Sequence, residues 1–316
     1  MAGAFTAVAD DASATWWNPA GLGAWNSSGL AGGSYVNAIV DLVSLRASAP
    51  AMGSAGAEVP AWRAGSGGLA FGSPVIGLSY YRLRISEIQP VTSTVAQGLV
   101  RQDQGTADVY VRSIVLHQLG ATFGQSVGDH LVVGATVRLL YGSLGAASRP
   151  GAGASIDQAA DLEGAGEVRA GADVGAMAAL GRVRVGLTVR NLTAPEFGRG
   201  VDAMALQRHA RAGVAWLSGQ RGGLSALTVS ADADLTTQST VTGDERRVTA
   251  GVEMSTLGRR VSVRGGVAAS TVGGSRASAT GGLSVAVQRG RYVDVAVVGG
   301  SDEARRGLGL ALRVTF

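Results

Sequence analysis

The regular alternation of apolar and other residues is the sequence feature that most constrains the fold of this chain. In residues 307–316, GLGLALRVTF, the leucines, the valine and the phenylalanine fall on one face of an extended strand. The glycines, the alanine, the arginine and the threonine fall on the opposite face. The same period of two recurs in residues 183–190, 247–254 and 291–300. This period predicts β-strands that each have one apolar face.

Extending this pattern along the chain predicts about fourteen strands, and an even number is typical of bacterial single-chain barrels. The predicted strands lie near residues 29–47, 66–72, 75–86, 108–123, 131–142, 167–180, 182–191, 207–217, 224–235, 245–256, 260–270, 277–288, 291–300 and 305–316. We therefore predict an all-β fold, a transmembrane antiparallel β-barrel formed by residues 29–316.

The connections between the predicted strands alternate in length. Short connections lie at 73–74, 181, 257–259 and 289–290, and long ones lie at 48–65, 87–107, 143–166 and 192–206. A barrel in an outer membrane has short turns at its periplasmic end and long loops at its external end. The alternation therefore favours such a barrel over a soluble β-sandwich or a β-solenoid, which are the alternative folds. The long connection 143–166 is rich in small residues, and we expect a mobile external loop there that gates an opening or binds a partner.

The charged residues fall on the face of each strand that is not apolar. They comprise Arg138, Arg184, Arg190, Arg247, Arg264 and Arg313 together with Asp173, Asp232, Asp234, Glu253 and Asp294. An arginine on the lipid-facing side costs about 2–4 kcal/mol at the middle of a bilayer, so these side chains should face the inside of the barrel. Their mixed signs predict ion pairs within a polar lumen.

The composition excludes several classes of function. The chain has no Cys, which excludes disulfides and thiolate metal sites, and it has no Lys, which excludes a P-loop lysine. Its histidines, His117, His130 and His209, lack the spacing of metal ligands. The arginines are scattered rather than clustered, which argues against nucleic-acid binding. We expect no metal, no cofactor and no enzymatic activity.

Residues 1–28 do not alternate, and they predict a compact helical hatch inside the barrel. Asp10 and Asp11 should cap a short helix in ASATWW, and Asn18 should cap a second one that begins at Pro19. Gly21, together with the glycine two positions later, should end that second helix.

The stretch GAFTAVADDASATWWNPAGL, residues 3–22, resembles the N-terminal signature of the FadL-like outer-membrane proteins, which include the PorV/PorQ branch. The phrase VRNLTAPEF, residues 189–197, is similar to a segment of the PorV-like branch. The resemblance implies a fourteen-stranded, plugged barrel in the bacterial outer membrane, in contact with outer-membrane lipids and lipopolysaccharide. It also implies that the terminal Phe316 is recognised by the barrel assembly machinery. The chain shows no signal peptide, and we expect a truncated or misplaced start.

Two segments with partly apolar character on both faces suggest where a ligand would bind. The residues concerned are Trp16, Trp17, Ile76, Leu78, Tyr80, Ile114 and Leu116. One interpretation is a site for a hydrophobic small molecule beside the hatch, and the other, which we favour at this point, is packing of the hatch against the wall. The predicted function is passive uptake of hydrophobic small molecules. The alternatives are a PorV-like barrel of type IX secretion that docks secreted proteins at its external loops, and a structural barrel without cargo.

Overall fold

The computed structural model describes residues 1–23, 37–47, 61–90, 108–150, 156–162, 164–219, 224–240, 243–301 and 306–315. The strands are β1 Asn37–Ala47, β2 Ala61–Gly72, β3 Ile76–Pro90, β4 Asp108–Val127, β5 Leu131–Pro150, β6 Gly166–Leu180, β7 Val183–Arg190, β8 Glu196–Phe197, β9 Met204–Ala205, β10 His209–Ser218, β11 Leu224–Asp234, β12 Gln238–Thr240, β13 Gly243–Glu245, β14 Arg247–Thr256, β15 Val261–Ser270, β16 Ser278–Gln288, β17 Arg291–Gly300 and β18 Arg306–Thr315. The helices are α1 Ala14–Trp17, α2 Ile156–Ala160 and the 3-10 helices Pro19–Leu22 and Gly200–Asp202.

Within the described residues, one large antiparallel sheet closes on itself. Its strand order is β1-β18-β17-β16-β15-β14-β11-β10-β7-β6-β5-β4-β3-β2, and β1 pairs with both β18 and β2. The remaining strands form two small hairpins, β8–β9 and β12–β13, within connections of the large sheet. The all-β prediction is confirmed. No helix among the described residues is long and apolar enough to cross a membrane.

The two faces of the sheet differ in chemistry as the alternation predicts. Large apolar side chains stand exposed on the outer face, for example Val137 at 61% and Leu119 at 58%. On the inner face, hydroxyl groups pair across strands, as between the Oγ1 atoms of Thr122 and Thr136, 2.8 Å apart. The inner face also carries the predicted charged residues and their ion pairs, such as Arg264 Nε with Glu253 Oε2 at 2.8 Å.

Three strands extend beyond their predicted limits at the end of the sheet that carries the long connections. Residues 143–150, which we expected in a loop, continue β5, because β5 pairs with β4 along its whole length to Pro150. Farther along the same connection, α2 packs its buried Ile156 and Ala159 against Ile88, Val109 and Val111 on β3 and β4. The long connections therefore include ordered structure, which covers the outer face of β3 and β4 at this end of the sheet.

Several predictions fall on residues outside the described part of the chain. These are the boundary between hatch and barrel at residues 28 and 29, and the terminal Phe316 with its predicted recognition by the assembly machinery.

Candidate functional site

The N-terminal segment, residues 1–23, lies against the inner face of the sheet and is bound there through its own backbone. The backbone N–H groups of Phe5 and Thr6 both donate to Oδ2 of Asp232 on β11, each at 2.9 Å. Ser230 lies two positions before Asp232 on β11, and its hydroxyl donates to the Ala4 carbonyl at 2.8 Å. The sheet thus supplies side-chain partners for backbone groups of a segment that belongs to no strand.

A ring of glycines on the inner face makes room for this segment. These inner glycines are Gly72, Gly77, Gly124, Gly134, Gly175, Gly186, Gly213, Gly251 and Gly266. A Cβ atom at any of them would come within 3.1 Å of an atom of the N-terminal segment. Several are directly paired across strands, as in the row formed by Gly124, Gly134 and Gly175. The glycines therefore allow the segment to approach the backbone of nine strands at one level of the barrel.

Local hydrogen bonds hold the segment in two short turns. Asn18 caps the 3-10 helix Pro19–Leu22 by accepting from the Ala20 N–H at 3.1 Å, as predicted. Its side-chain amide donates to the Thr6 carbonyl at 2.8 Å and to the Ala176 carbonyl of β6 at 3.3 Å. Asn18 thereby joins the two halves of the segment to the wall.

Two expectations about this segment differ from the structure. Asp11 does not cap α1 at its N-cap position, which Ser13 occupies, but accepts from the Ser13 N–H at 2.9 Å in the turn before the helix. Gly21 does not end the 3-10 helix but lies inside it. A Cβ atom at Gly21 would stand 2.1 Å from the Ala9 carbonyl oxygen, so close packing within the segment requires glycine there.

Asp10 follows the buried Ala9, and its surroundings disfavour the charged form of its carboxyl group. The residue is exposed at the surface of the N-terminal segment, but the barrel around it removes much of the bulk water. This desolvation, followed by repulsion from Asp11, raises the pKa of Asp10 from 3.8 to about 6. Attraction from Arg184 opposes the shift without cancelling it.

The two adjacent tryptophans have separate environments. The Trp16 ring lies 5.0 Å from the Tyr81 ring on β3, and the guanidinium carbon of Arg190 on β7 stands 3.9 Å from the centroid of Trp16. Trp17 packs edge-on against Phe5 of its own segment at 6.0 Å. Only Trp16 of this pair therefore forms a ring contact with the barrel wall among the described residues, and the stacked cation adds to that contact.

An inner apolar cluster lies between the N-terminal segment and the long-connection end of the sheet. Its fully buried members are Ile114, Leu116, Leu140 and Phe197, and Leu83, Ile85, Leu144, Met204 and Leu206 pack around them. Along β4, the cluster lies nearer the long connections than Gly124, which contacts the N-terminal segment. Apolar side chains grouped on an otherwise polar inner face are suited to contact with a hydrophobic molecule.

The structure brings together only part of the predicted ligand-binding set. Ile114 and Leu116 are in the inner apolar cluster, whereas Ile76 and Leu78 stand on the outer face, 46% and 54% exposed. Tyr80 is on that outer face too, where its hydroxyl lies 2.7 Å from Nδ1 of His117. The other face of β3 turns inward because Gly77 there contacts Leu22 and Thr15 of the N-terminal segment.

The inward residues of β3 that alternation alone did not assign are Tyr81, Leu83 and Ile85. They share a face with Gly77, and the change from glycine and serine to apolar residues along that face was the available signal.

The connection between β7 and β10 folds back toward the inner face and carries Phe197 into the cluster. Arg138 on β5 anchors its start, donating to Oδ1 of Asn191 at 2.7 Å and to Oδ1 of Asp173 at 2.6 Å. The Asn191 side-chain amide donates in turn to the Gln207 carbonyl at 2.9 Å, which ties the two ends of the connection together. Sequence reasoning missed Phe197 because nothing local distinguishes it from a surface loop residue.

At the opposite end of the sheet, a cavity of about 740 Å³ adjoins the end of the N-terminal segment. It is lined by Gly23, Pro74, Val75, Gly124, Gln125, Ser126, Gly128 and Asp129. This cavity lies at the end of the short turns, whereas the inner apolar cluster lies toward the long connections. The N-terminal segment lies between the two.

The fold is similar to that of solved structures that include two monoaromatic hydrocarbon channels and a FadL homologue. The CymD monoaromatic hydrocarbon channel matches with a TM-score of 0.55 and 12% identity, over 98% of this chain and 93% of that one. A FadL homologue from Pseudomonas aeruginosa matches with a TM-score of 0.52 and 12% identity, over 100% of this chain and 96% of that one. The predicted FadL-like resemblance is thereby confirmed as a likeness of fold.

A third channel, the TodX deltaS2S3 mutant, matches with a TM-score of 0.51 and 12% identity, over 96% of this chain and 93% of that one. The chain also matches CdiB from Acinetobacter baumannii with a TM-score of 0.39 and 9% identity, over 89% of this chain, and spans 60% of the length of that protein. No curated protein sequence matches the chain.

A family model adds a relationship at the level of sequence. The model described as "F plasmid transfer operon, TraF, protein" matches residues 36–243, which include the strands from β1 to β12. This match covers more than half of the chain, and the chain therefore belongs to the family described as F plasmid transfer operon, TraF, protein.

Proposed function

We propose that this protein is a barrel of the bacterial outer membrane that mediates passive uptake of hydrophobic small molecules. The observation that carries the proposal is the inner apolar cluster, which lies between the external connections and the N-terminal segment. The exposed apolar side chains of the outer face fit contact with lipid, and the charged pairs of the inner face fit a lumen. Two proteins with a similar fold, CymD and TodX, are monoaromatic hydrocarbon channels, which supports this proposal.

The proposed route has three stages that follow the order of these features along the barrel. A hydrophobic molecule enters at the long connections and contacts the inner apolar cluster. It then passes the layer formed by Trp16, Tyr81 and Arg190, where the N-terminal segment acts as a hatch. Displacement of this hatch opens the way to the cavity near Gly23. Movement down a concentration gradient suffices to drive these stages.

The alternative of a barrel that docks secreted proteins stays a prediction. It was based on residues 189–197, whose last member, Phe197, is fully buried in the inner apolar cluster. No feature of the described residues favours that alternative over uptake.

The proposal is tested by uptake of N-phenyl-1-naphthylamine, a fluorescent hydrophobic probe, into Gram-negative cells that produce the protein. Cells with the wild-type barrel should take up the probe several-fold faster than cells with an empty vector. A Leu116→Gln variant should reduce the rate toward that of the empty vector. A Ser284→Gln variant changes a buried inner-face residue of β16, outside the cluster, and serves as the control.

Folded barrel is quantified in each strain by heat-modifiable gel migration, so that rates are compared at equal amounts of protein. Equal uptake by wild-type and empty-vector cells, with folded barrel present, would refute the proposed function.

A further inference from the structure

The benzyl side chain of Phe197 fills the centre of the inner apolar cluster. We propose that Phe197 is an internal ligand of this site, and that a flat, ring-sized hydrophobe binds by displacing it. This inference rests on the proposed function, which it extends by naming the occupied subsite and the residue that closes it. The chemical class of the ligand is an apolar molecule or group of the size of a benzene ring.

The shape of the site matches a planar ring. Phe197 is fully buried, and it packs directly against the backbone of Gly142 on β5. A Cβ atom at Gly142 would lie 2.5 Å from both Cδ1 and Cε1 of the ring, so glycine leaves a flat surface where a larger residue would fill the space. Ile114, Leu116 and Leu140 supply the other apolar walls.

One cationic group also contacts the ring of Phe197. The guanidinium carbon of Arg169 on β6 lies 5.9 Å from the centroid of Phe197, within range of a cation–π interaction. An aromatic ligand in place of Phe197 would keep this contact, whereas a saturated chain would lose it. The subsite should therefore prefer an aromatic ring to an alkyl chain of similar volume.

Phe197 is attached to a small element that can move without opening the barrel. It belongs to the β8–β9 hairpin, in which Glu196 pairs with Ala205 and Phe197 with Met204, apart from the large sheet. The backbone beside it has positive φ angles at Ala194 and Gly198, of 43° and 78°. Left-handed residues at both sides of the hairpin strand are positions where a loop changes direction.

Side-chain hydrogen bonds attach the hairpin to the large sheet at both of its ends. Arg169 Nε donates to the Glu196 carbonyl at 2.8 Å, and the Tyr110 hydroxyl of β4 donates to Oδ1 of Asp202 in the turn between β8 and β9. Phe197 itself is held by its ring contacts, and a ligand that replaces them offsets the apolar part of what its departure costs. The apparent affinity for the ligand equals the intrinsic affinity multiplied by the fraction of molecules in which Phe197 has left the site.

Removing the benzyl group should create an apolar cavity that accepts the ring of a ligand. A cavity lined by Leu, Ile and Phe side chains stays dry and binds benzene in a well-studied engineered case. We expect Phe197→Ala to bind fluorobenzene at least tenfold more tightly than the wild-type protein. The measurement is ¹⁹F NMR titration of fluorobenzene with protein in lipid nanodiscs, with protein-free nanodiscs to subtract partition into lipid.

The matched control is Phe123→Ala, which removes a phenylalanine that is 54% exposed on the outer face. It should bind fluorobenzene as the wild-type protein does. Hexane should compete with fluorobenzene less well than benzene does. If Phe197→Ala fails to fold, Phe197→Leu keeps an apolar side chain, shortens the occupant and should also increase affinity.

The inference is overturned if the folded Phe197 variant, either Phe197→Ala or Phe197→Leu, binds fluorobenzene no more tightly than Phe123→Ala does. The cellular uptake assay separates this failure from failure of the proposed function. Tighter binding without any uptake would refute transport and keep the subsite, whereas uptake without tighter binding would refute the subsite and keep transport.

Discussion

A single methyl group at Gly134 should displace the N-terminal segment from the barrel. Gly134 lies on the inner face of β5, where a Cβ atom would stand 2.4 Å from the Pro19 carbonyl carbon and 2.5 Å from the Ala20 nitrogen. Both are backbone atoms, so no flexible side chain can rotate away. Overpacking of this kind typically costs about 1–3 kcal/mol, and here most of that cost falls on the docked position of the segment. A shift of this size raises the undocked fraction about 5- to 150-fold.

The absence of native Cys makes a labelling assay direct. Ala12 in the segment is fully buried, so a thiol in Ala12→Cys should react with a maleimide only when the segment leaves the wall. The labelling rate of Ala12→Cys then reports the undocked fraction. Adding Gly134→Ala should increase that rate at least fivefold at constant pH.

The matched control is Gly281→Ala, which adds the same methyl group to β16, where the nearest atom is Val297 Cγ2 at 3.9 Å. Both substitutions add one methyl group to a strand glycine, but Gly281 lies on the exposed outer face, so only the methyl group at Gly134 meets the segment. Labelling at the same rate in the Gly134→Ala and Gly281→Ala backgrounds would refute the role of the inner glycines.

Two further predictions follow from the charge at Asp10 and from the outer face. Because docking raises the pKa of Asp10 from 3.8 to about 6, the docked state binds more protons, and docking should weaken as pH rises from about 4 to about 6. The labelling rate of Ala12→Cys, corrected for thiolate fraction, should rise over that range, and Asp10→Asn should remove the rise. Asp11, Arg184, Glu253 and Arg259 also act on this carboxyl group, and a pH response unchanged by Asp10→Asn would refute its assignment to Asp10. Leu312→Arg, on the outer face, should lose about 2–4 kcal/mol of barrel stability in lipid, whereas Ala311→Arg, opposite Asp294 on the inner face, should be tolerated; equal loss of the heat-modifiable form in both would contradict the assignment of faces.

The alternation of residues was sufficient to predict the strands of the large sheet, though not their full length or the two small hairpins, and to place most charged side chains. Arg138, Arg264 and Asp173 face inward as predicted, because the side-chain direction of a strand is fixed once one apolar face is known. The prediction failed to group the site residues on β3, where both faces are partly apolar. There the face is decided by Gly77 and its contact with the N-terminal segment, which no pattern within β3 contains.

Contacts between distant parts of the chain account for the features that the sequence did not reveal. Phe197 looks like a loop residue, and its burial depends on the space that Gly142 leaves on another strand. The packing of α2 against β3 and β4 likewise depends on how far those strands extend together. Asn18, by contrast, was predicted correctly as a cap, because its role depends on the residues that immediately follow it.

The glycines of the inner face and the hydrogen bonds of the N-terminal segment fit the proposed opening of a filled barrel. Side chains that interlock from wall to wall would fill the lumen but would make any opening costly. Here much of the contact is backbone against glycine, and apolar residues of the segment also pack against Val132, Met177 and Ala215 of the wall. Side chains such as Asp232, Ser230 and Asn18 provide separate polar attachments. Each attachment can be exchanged for water at a net cost of about 0.5–3 kcal/mol, the upper part applying to the charged Asp232. The polar attachments of the segment are therefore exchangeable bonds, which is a property that the proposed hatch on a passive route requires.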